Sequence, residues 1–214
     1  MIIYAVSPII QYMLKTFKYR ICPSRKQRKA LGYTIEECRF VYNKTLETIK
    51  SAYEDRKEYI SLYDVIRLLP QWKEERPSLK IAYSQVLQET QQRVDLAFKA
   101  FFRRSKKGEN PGYPRFKGHG RYDSFTFTQS GFFIKEHGIN LSKIGTIKTI
   151  FHRPIEGKIK RLTIKRKPSG KWFACFSCEI APSPLPENDK AIGIDLGITN
   201  FATFSDGKKI ENPR

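Results

Sequence analysis

The sequence predicts an α+β chain: a small antiparallel β-barrel with an inserted helical lobe, followed by an acidic strand–turn–strand. Three observations carry that fold class. Apolar residues alternate with period two over Lys15–Ile21 and again from Tyr122 to Ile180. Between those stretches they recur every three or four residues, the period of amphipathic helices. Near the end, Ile192-Gly193-Ile194-Asp195 returns to strand period, with one carboxylate inside an otherwise apolar run.

A chain of 214 residues can hold one large or two small domains with real cores. Hydrophobic residues at 40% and aromatics at 13% exclude disorder as the default state. A formal net charge of +19 attracts polyanions, and nucleic acid is the commonest of these. A membrane surface is set aside, because no long basic amphipathic helix is present to lie on one. Met1–Tyr12 is apolar, but Pro8 interrupts it and no cations precede it, so it is expected to be an extension ahead of a start at Met13. Cys22, Cys38, Cys175 and Cys178 are scattered and suit a reducing cytoplasm. Cys175 and Cys178 have knuckle spacing, yet a strand would point them to opposite faces and no second pair completes a zinc site.

In chain order, Phe17, Tyr19 and Ile21 form the buried face of a first strand, with Lys18 and Arg20 opposite and Pro23 ending it. Ser24 and Gln27 make a capping box. Leu31, Ile35, Cys38, Tyr42, Leu46, Ile49 and Tyr53 then mark one long helix, weakened near its start by Gly32, where the first turn is expected to separate. Arg39, Asn43 and Lys44 flank that stripe and are expected nucleic-acid ligands. A short helix is expected over Ser61–Leu69 before Pro70, with Trp72 in the helical core. Another is expected from about Leu79 to Arg104. Eleven of the 21 acidic residues lie between Glu36 and Asp95, so the positive excess is elsewhere.

That excess falls in two segments of seven cations each. The first contains Arg103, Arg104, Lys106, Lys107, Arg115, Lys117 and Arg121, with Tyr113 and Phe116 among them and Glu109 as the single acid. Cations beside planar groups suit phosphates and stacked bases, although an ordinary solvated linker has the same composition. The second segment, Lys158–Lys171, has no acid, and its strand turns Arg161, Thr163, Lys165 and Lys167 away from Leu162 and Ile164. This sheet face is therefore expected to be a polyanion track with Arg161, Lys165 and Lys167 as nucleic-acid ligands. Strands are also expected at Phe125–Thr128, Phe132–Ile134, Ile139–Leu141, Ile144–Ile150 and Lys171–Ile180. Pro182, Pro184 and Pro186 make a linker. No Ser/His/Asp or Cys/His set, Walker loop or dinucleotide fingerprint is present, and His119, His137 and His152 are isolated. No small-molecule substrate is indicated.

Asp195 is expensive on a buried strand unless it meets a cation, for which Mg²⁺ is the usual choice, or unless it only caps the turn at Gly197. Phe201–Phe204 returns as a second strand to the turn Ser205-Asp206-Gly207. Ile192–Asn200 also resembles the first phosphate-binding hairpin of the seventy-kilodalton heat-shock chaperones, which leaves an actin-like ATP-binding protein as a remote alternative.

Four blocks in register resemble the TnpB (OrfB) family of insertion-sequence-encoded RNA-guided nucleases. They are Arg39-Phe40-Val41-Tyr42-Asn43, Ala97–Phe102, Gly112–Lys117, and Gly193–Gly197 with Phe201-Ala202 and Ser205-Asp206-Gly207. The resemblance implies a wedge (OB-like) barrel begun by residues 13–23 and completed by 111–186. It places a helical recognition lobe with a helix-turn-helix region at 24–110, and the start of an RNase H-like (RuvC) domain at 187–214. It also implies guide RNA and DNA as partners in a bacterial or archaeal cytoplasm, at the nucleoid. Two Mg²⁺ ions would be held by Asp195 and further carboxylates, and zinc only in a later part absent here. Gln88, Thr128 and Gln129 fall where relatives contact a transposon-adjacent DNA motif. The chain stops before the family's remaining carboxylates, so it is expected to be truncated and unable to cut alone, or to work with a missing half in trans.

Overall fold

The computed structural model of the chain describes residues 12–58, 60–181 and 191–213. They fall into two compact units, 1–181 and 182–214. The expected extension, apart from Tyr12, and the proline linker lie outside the described residues.

The first unit is built on a seven-stranded antiparallel sheet of order β2-β6-β7-β1-β5-β4-β3. Its strands are β1 (Met13–Cys22), β2 (Ser124–Phe127), β3 (Phe132–Lys135), β4 (Gly138–Leu141), β5 (Gly145–Ile150), β6 (Lys158–Arg166) and β7 (Trp172–Ile180). β1 is central, with Phe17 opposite Phe176 and Tyr19 opposite Ala174 on β7, and Arg20 opposite Ile150 on β5. The two edge strands, β2 and β3, are joined by the four-residue loop 128–131. So short a tether forces the sheet to curl until its edges approach, and Phe127 and Phe132 meet across the seam at 6.1 Å between ring centroids. The nearly closed interior holds the alternate residues that period two picks out: Phe17, Tyr19, Ile21, Phe125, Leu162, Ile164, Trp172 and Phe176, all buried. Each such apolar side chain contributes about 1.5–3 kcal/mol on removal from water. β6 and β7 turn as the sequence predicts, and Cys178 is buried while Cys175, on the other face, is half-exposed.

The helical lobe is inserted between β1 and β2. Helix α1 (Arg25–Arg56) starts at the Ser24–Gln27 capping box and ends with Lys57 in the left-handed conformation, φ 55°. It runs unbroken through Gly32, contrary to the expected separate turn, because burial of Leu31, Ile35, Cys38, Tyr42 and Leu46 outweighs the propensity cost of one glycine. Tyr53, in the last turns of the helix, is the exception on the stripe and is exposed. The short helix expected over Ser61–Leu69 is α2 (Leu62–Arg67), and a further helix, α3 (Leu69–Glu75), follows it. Pro70 opens α3 rather than closing α2, since a proline in a first turn gives up no hydrogen bond. Trp72 is buried, as expected. Helix α4 (Ser84–Lys106) starts later than expected. Leu79 belongs to a 3₁₀ turn (Pro77–Ile81), and extended Ala82, ψ 149°, separates the two. Arg76, just before that turn, grips Glu37 of α1 through Nε at 2.8 Å and Nη2 at 3.0 Å and lies over the Phe40 ring.

All four cysteines are free. Burial pushes the Cys38 thiol up to about 12, with minor effects from Thr90 and Arg93 opposing it. A thiol held that high stays protonated and unreactive. At pH 8 the folded protein is expected to label at exposed Cys22 and not at Cys38, which reacts only on unfolding; site-resolved mass spectrometry of alkylated protein checks the order.

The second unit is a three-stranded antiparallel sheet, β10-β9-β8, with β8 at Ile194–Asp195, β9 at Asn200–Phe204 and β10 at Lys209–Glu211. The buried strand expected around Asp195 is only two residues long and exposed. Ile192, Ile194, Leu196, Ile198 and Phe201 are all more than half exposed, and only Ala202 of the unit's described residues is buried. Among the described residues of this unit the sheet has no second layer to bury its apolar side chains, whatever their period. The third strand, β10, goes beyond the strand–turn–strand that the sequence predicts.

Candidate nucleic-acid interface

The basic segment after α4 is clamped to α1. Arg39 and Asn43, one turn apart, face the same way. Asn43 Nδ2 donates to the Lys117 carbonyl at 3.0 Å, and the Lys117 amide donates back to Asn43 Oδ1 at 2.8 Å. Arg39 Nη1 reaches the same carbonyl at 3.3 Å, while its Nε donates to Glu36 at 2.9 Å. Two of the four sequence blocks therefore meet in one contact. Arg39 and Asn43, expected as nucleic-acid ligands, both bond protein here, Asn43 through Nδ2 and Oδ1 and Arg39 through Nε and Nη1. Lys44 pairs with Glu47 at 3.5 Å. The clamp borders a cleft of about 250 Å³ lined by Arg39, Phe40, Asn43, Lys44, Arg76 and Phe116, among others.

Of the expected ligands in this segment, Arg103, Arg104, Lys106, Lys107 and Arg115 are exposed. Lys117 is half-buried, its ammonium 5.6 Å from the centre of the Tyr42 ring. Tyr113 docks edge-on against Phe98 and Phe101, with centroids 5.5 and 5.3 Å apart.

The residues expected to read DNA lie around the start of α4. The loop 128–131 is moored there: Ser130 donates to Gln85 Oε1 from its hydroxyl at 3.0 Å, and its Oγ lies 2.9 Å from the Tyr83 hydroxyl. Gly131 sits at φ +88°, and a Cβ there would enter the Tyr83 ring, so only glycine lets the loop lie this close. Gln88, one turn beyond Gln85, is exposed; Thr128 is half-buried and Gln129 exposed. Arg93 then ties α4 to the sheet. Its Nε pairs with Glu89 at 2.8 Å, Nη1 donates to the Ser124 carbonyl at 3.0 Å, and Nη2 donates to Thr126 Oγ1 at 2.7 Å. Thr126 Oγ1 lies 2.8 Å from Thr163 Oγ1 of β6. The buried phenol of Tyr122, pushed well above its ordinary value by desolvation, stays protonated beside this network. Sequence reasoning misses Tyr83, Gln85 and Arg93, although an Arg beside the buried stripe with Glu89 four residues earlier is a visible signal.

On the sheet's outer face, register completes what β6 alone suggests. Lys165 is opposite Phe173, which is opposite Arg20; Thr163 is opposite Cys175, which is opposite Lys18. Lys18 and Arg20 lie 4.4 and 5.6 Å from the centre of the Phe173 ring. Arg161 and Lys167 are exposed, while Lys165 is partly neutralised by Asp123 at 3.2 Å. Period two makes Lys18 and Arg20 the polar face of their strand, but only register joins them to this patch.

Asp195 is exposed, and no cluster of three or more His, Cys, Asp or Glu that could hold a metal occurs among the described residues. The described donors offer one ligand and do not make a two-metal site, so no catalytic step is derived from them. No helix among the described residues is long and apolar enough to cross a membrane.

A curled antiparallel sheet, an inserted helical lobe and grouped exposed cations define a class of basic α+β proteins. Within it, the helix-turn-helix domain of the OrfB/IS605 type matches residues 13–58, which here fold as β1 and a single long helix. The chain is a relative of the TnpB (OrfB) RNA-guided nucleases. It is 33% identical over 212 residues to a Streptomyces pristinaespiralis protein named RNA-guided DNA endonuclease, covering 96% of this chain and 52% of that one. It is 30% identical over 202 residues to the RNA-guided DNA endonuclease InsQ of Escherichia coli K12, covering 92% and 49%. The chain thus spans about half the length of the curated relatives it matches. A likeness to the cryo-EM structure of a Cas12f1–sgRNA–target DNA complex covers 94% of this chain and 57% of that one at 13% identity; its TM-score of 0.45 is too low to carry an inference.

Proposed function

We propose that this chain is the nucleic-acid-binding part of an RNA-guided DNA endonuclease of the TnpB type, holding a guide RNA and reading a short transposon-adjacent DNA motif. The observation that carries the proposal is the relationship to two such endonucleases over nearly the whole chain. The curled sheet takes the role of the wedge barrel and the helices that of the recognition lobe. The exposed cations at the end of α4 and on β6 contact phosphates. Asp195 is the residue of this chain that would offer a carboxylate to a metal site of the RuvC type, and the described residues alone do not complete such a site.

RNA binding is expected to weaken steeply with salt. Joint replacement of Arg103, Arg104, Lys106 and Lys107 by Gln lowers the slope of log K against log[salt] by about 0.7–0.9 for each phosphate that is no longer neutralised. Fluorescence-anisotropy titrations at several salt concentrations measure it, and an unchanged slope removes this cluster from the interface.

Gln88→Ala is expected to relax base preference at one motif position while general affinity holds. A bidentate Gln–adenine pair discriminates by about 1–3 kcal/mol, and Gln88 is exposed one turn beyond the mooring of the 128–131 loop. Selection from a randomised duplex library tests this; equal loss across all sequences would take Gln88 out of base readout.

A further inference from the structure

Beside the basic cluster at the end of α4 lies an apolar cleft of about 340 Å³, at the low end of the ~300–1,000 Å³ range of ligand clefts. Its walls include Ile49 and Tyr53 of α1, Phe98, Phe101 and Phe102 of α4, and Tyr113 of the clamped segment; Glu58 and Asp95 also line it, the latter paired with Lys99 at 2.8 Å. Three of these rings are not spent on a closed core: Tyr53 is 60% exposed, Phe102 50% and Tyr113 42%, whereas Phe98, at 8%, belongs to the core beneath them. Phe101 meets Phe102 and Tyr113 edge-to-face at 5.3 Å in both cases, so the aromatic box is already assembled. Phe102 is also a wall of the neighbouring basic cleft that contains Arg103, Lys106 and Lys107. An aromatic cavity opening beside several cations matches one chemistry, a planar aromatic group carrying a phosphate.

We infer that this cleft captures a single unpaired nucleobase, whose flanking phosphates are held by Arg103, Lys106 and Lys107. The inference rests on the RNA-binding reading above and adds to it a preference for unpaired nucleotides. A base in a duplex cannot enter a cavity behind the phosphate-binding cations without leaving its stack, whereas a loop or bulge presents one at little cost. The Asn43 clamp contributes indirectly, by fixing the segment that carries Tyr113.

The test uses the full chain with three probes of equal charge: an RNA hairpin with 2-aminopurine in its loop, its DNA counterpart, and a blunt RNA duplex. The hairpin is expected to bind about tenfold tighter than the duplex, with a change in 2-aminopurine fluorescence on binding. Phe101→Leu, and separately Tyr113→Leu on the exposed segment, remove that advantage while leaving duplex affinity and salt slope unchanged. Equal binding of the DNA hairpin supports the pocket and makes it indifferent to the sugar; weaker binding supports it and assigns it to RNA. If hairpin and duplex bind alike with a steep salt slope, or if both leucine variants keep the hairpin advantage, the base pocket is overturned and RNA binding stands. If no probe binds, the RNA-binding reading falls and the pocket with it.

Discussion

Arg93→Met is expected to lower the stability of the first unit by about 3 kcal/mol, from the general cost of breaking a well-buried ion pair. The corresponding fall in thermal midpoint is about 6–12 °C, at the ~2–4 °C per kcal/mol typical of a domain of this size. Arg93 is 24% exposed and Glu89, its partner, 8% exposed, so water cannot replace the missing guanidinium. Methionine keeps the apolar stem but donates nothing, leaving the Glu89 carboxylate without its cation and the Ser124 carbonyl and Thr126 hydroxyl without their donor. Glu89→Gln combined with Arg93→Met should recover part of the loss, because no net charge then remains. Chemical denaturation of the single and double variants decides the matter: a single variant within about 0.5 kcal/mol of the parent, the usual range of surface substitutions, would show that the helical lobe is not held to the sheet through Arg93.

The second large effect is expected at the clamp. Asn43→Ala removes both hydrogen bonds to the Lys117 backbone and costs about 1–2 kcal/mol, since the half-exposed segment can recruit water in their place. The larger consequence is local. Without the clamp the segment between α4 and β2 loses its fixed path, and its cations must be ordered again each time a ligand binds. RNA affinity is therefore expected to fall about tenfold, equivalent to ~1.4 kcal/mol of ordering cost, with the salt slope nearly unchanged because no cation has been removed. Hydrogen exchange at the Lys117 amide gives an independent reading and should lose its protection. Asn43→Asp keeps the acceptor for that amide but faces the carbonyl with a like dipole, so an intermediate effect is expected.

These two side chains also show where sequence reasoning stops. Asn43 flanks the buried stripe of α1 and belongs to one of the four blocks, and nothing local shows what it bonds. Its partner is 74 residues away in another block. Arg93 shows locally only its Glu89 partner four residues earlier, and nothing in that spacing distinguishes a salt-bridged surface arginine from one that also bonds β2 through Ser124 and Thr126.

The sequence by itself determined the element types, the faces that turn inward, the capped start of α1 and the α+β class. Each of these depends on spacing within one strand or helix: Phe17, Tyr19 and Ile21 are buried because alternate residues of a strand share a face, and Ser24 caps because Gln27 is three residues on. Only the tertiary structure decided which polar residues remain available. It joined Lys18 and Arg20 to Lys165 through strand register, and it brought Arg39 and Asn43 onto the Lys117 backbone in the clamp. It also left Asp195 exposed on a thin sheet where period two had suggested burial. The physical reason is that periodicity records the side of an element that avoids water, whereas an ion pair or hydrogen bond between elements depends on where loops bring distant residues together.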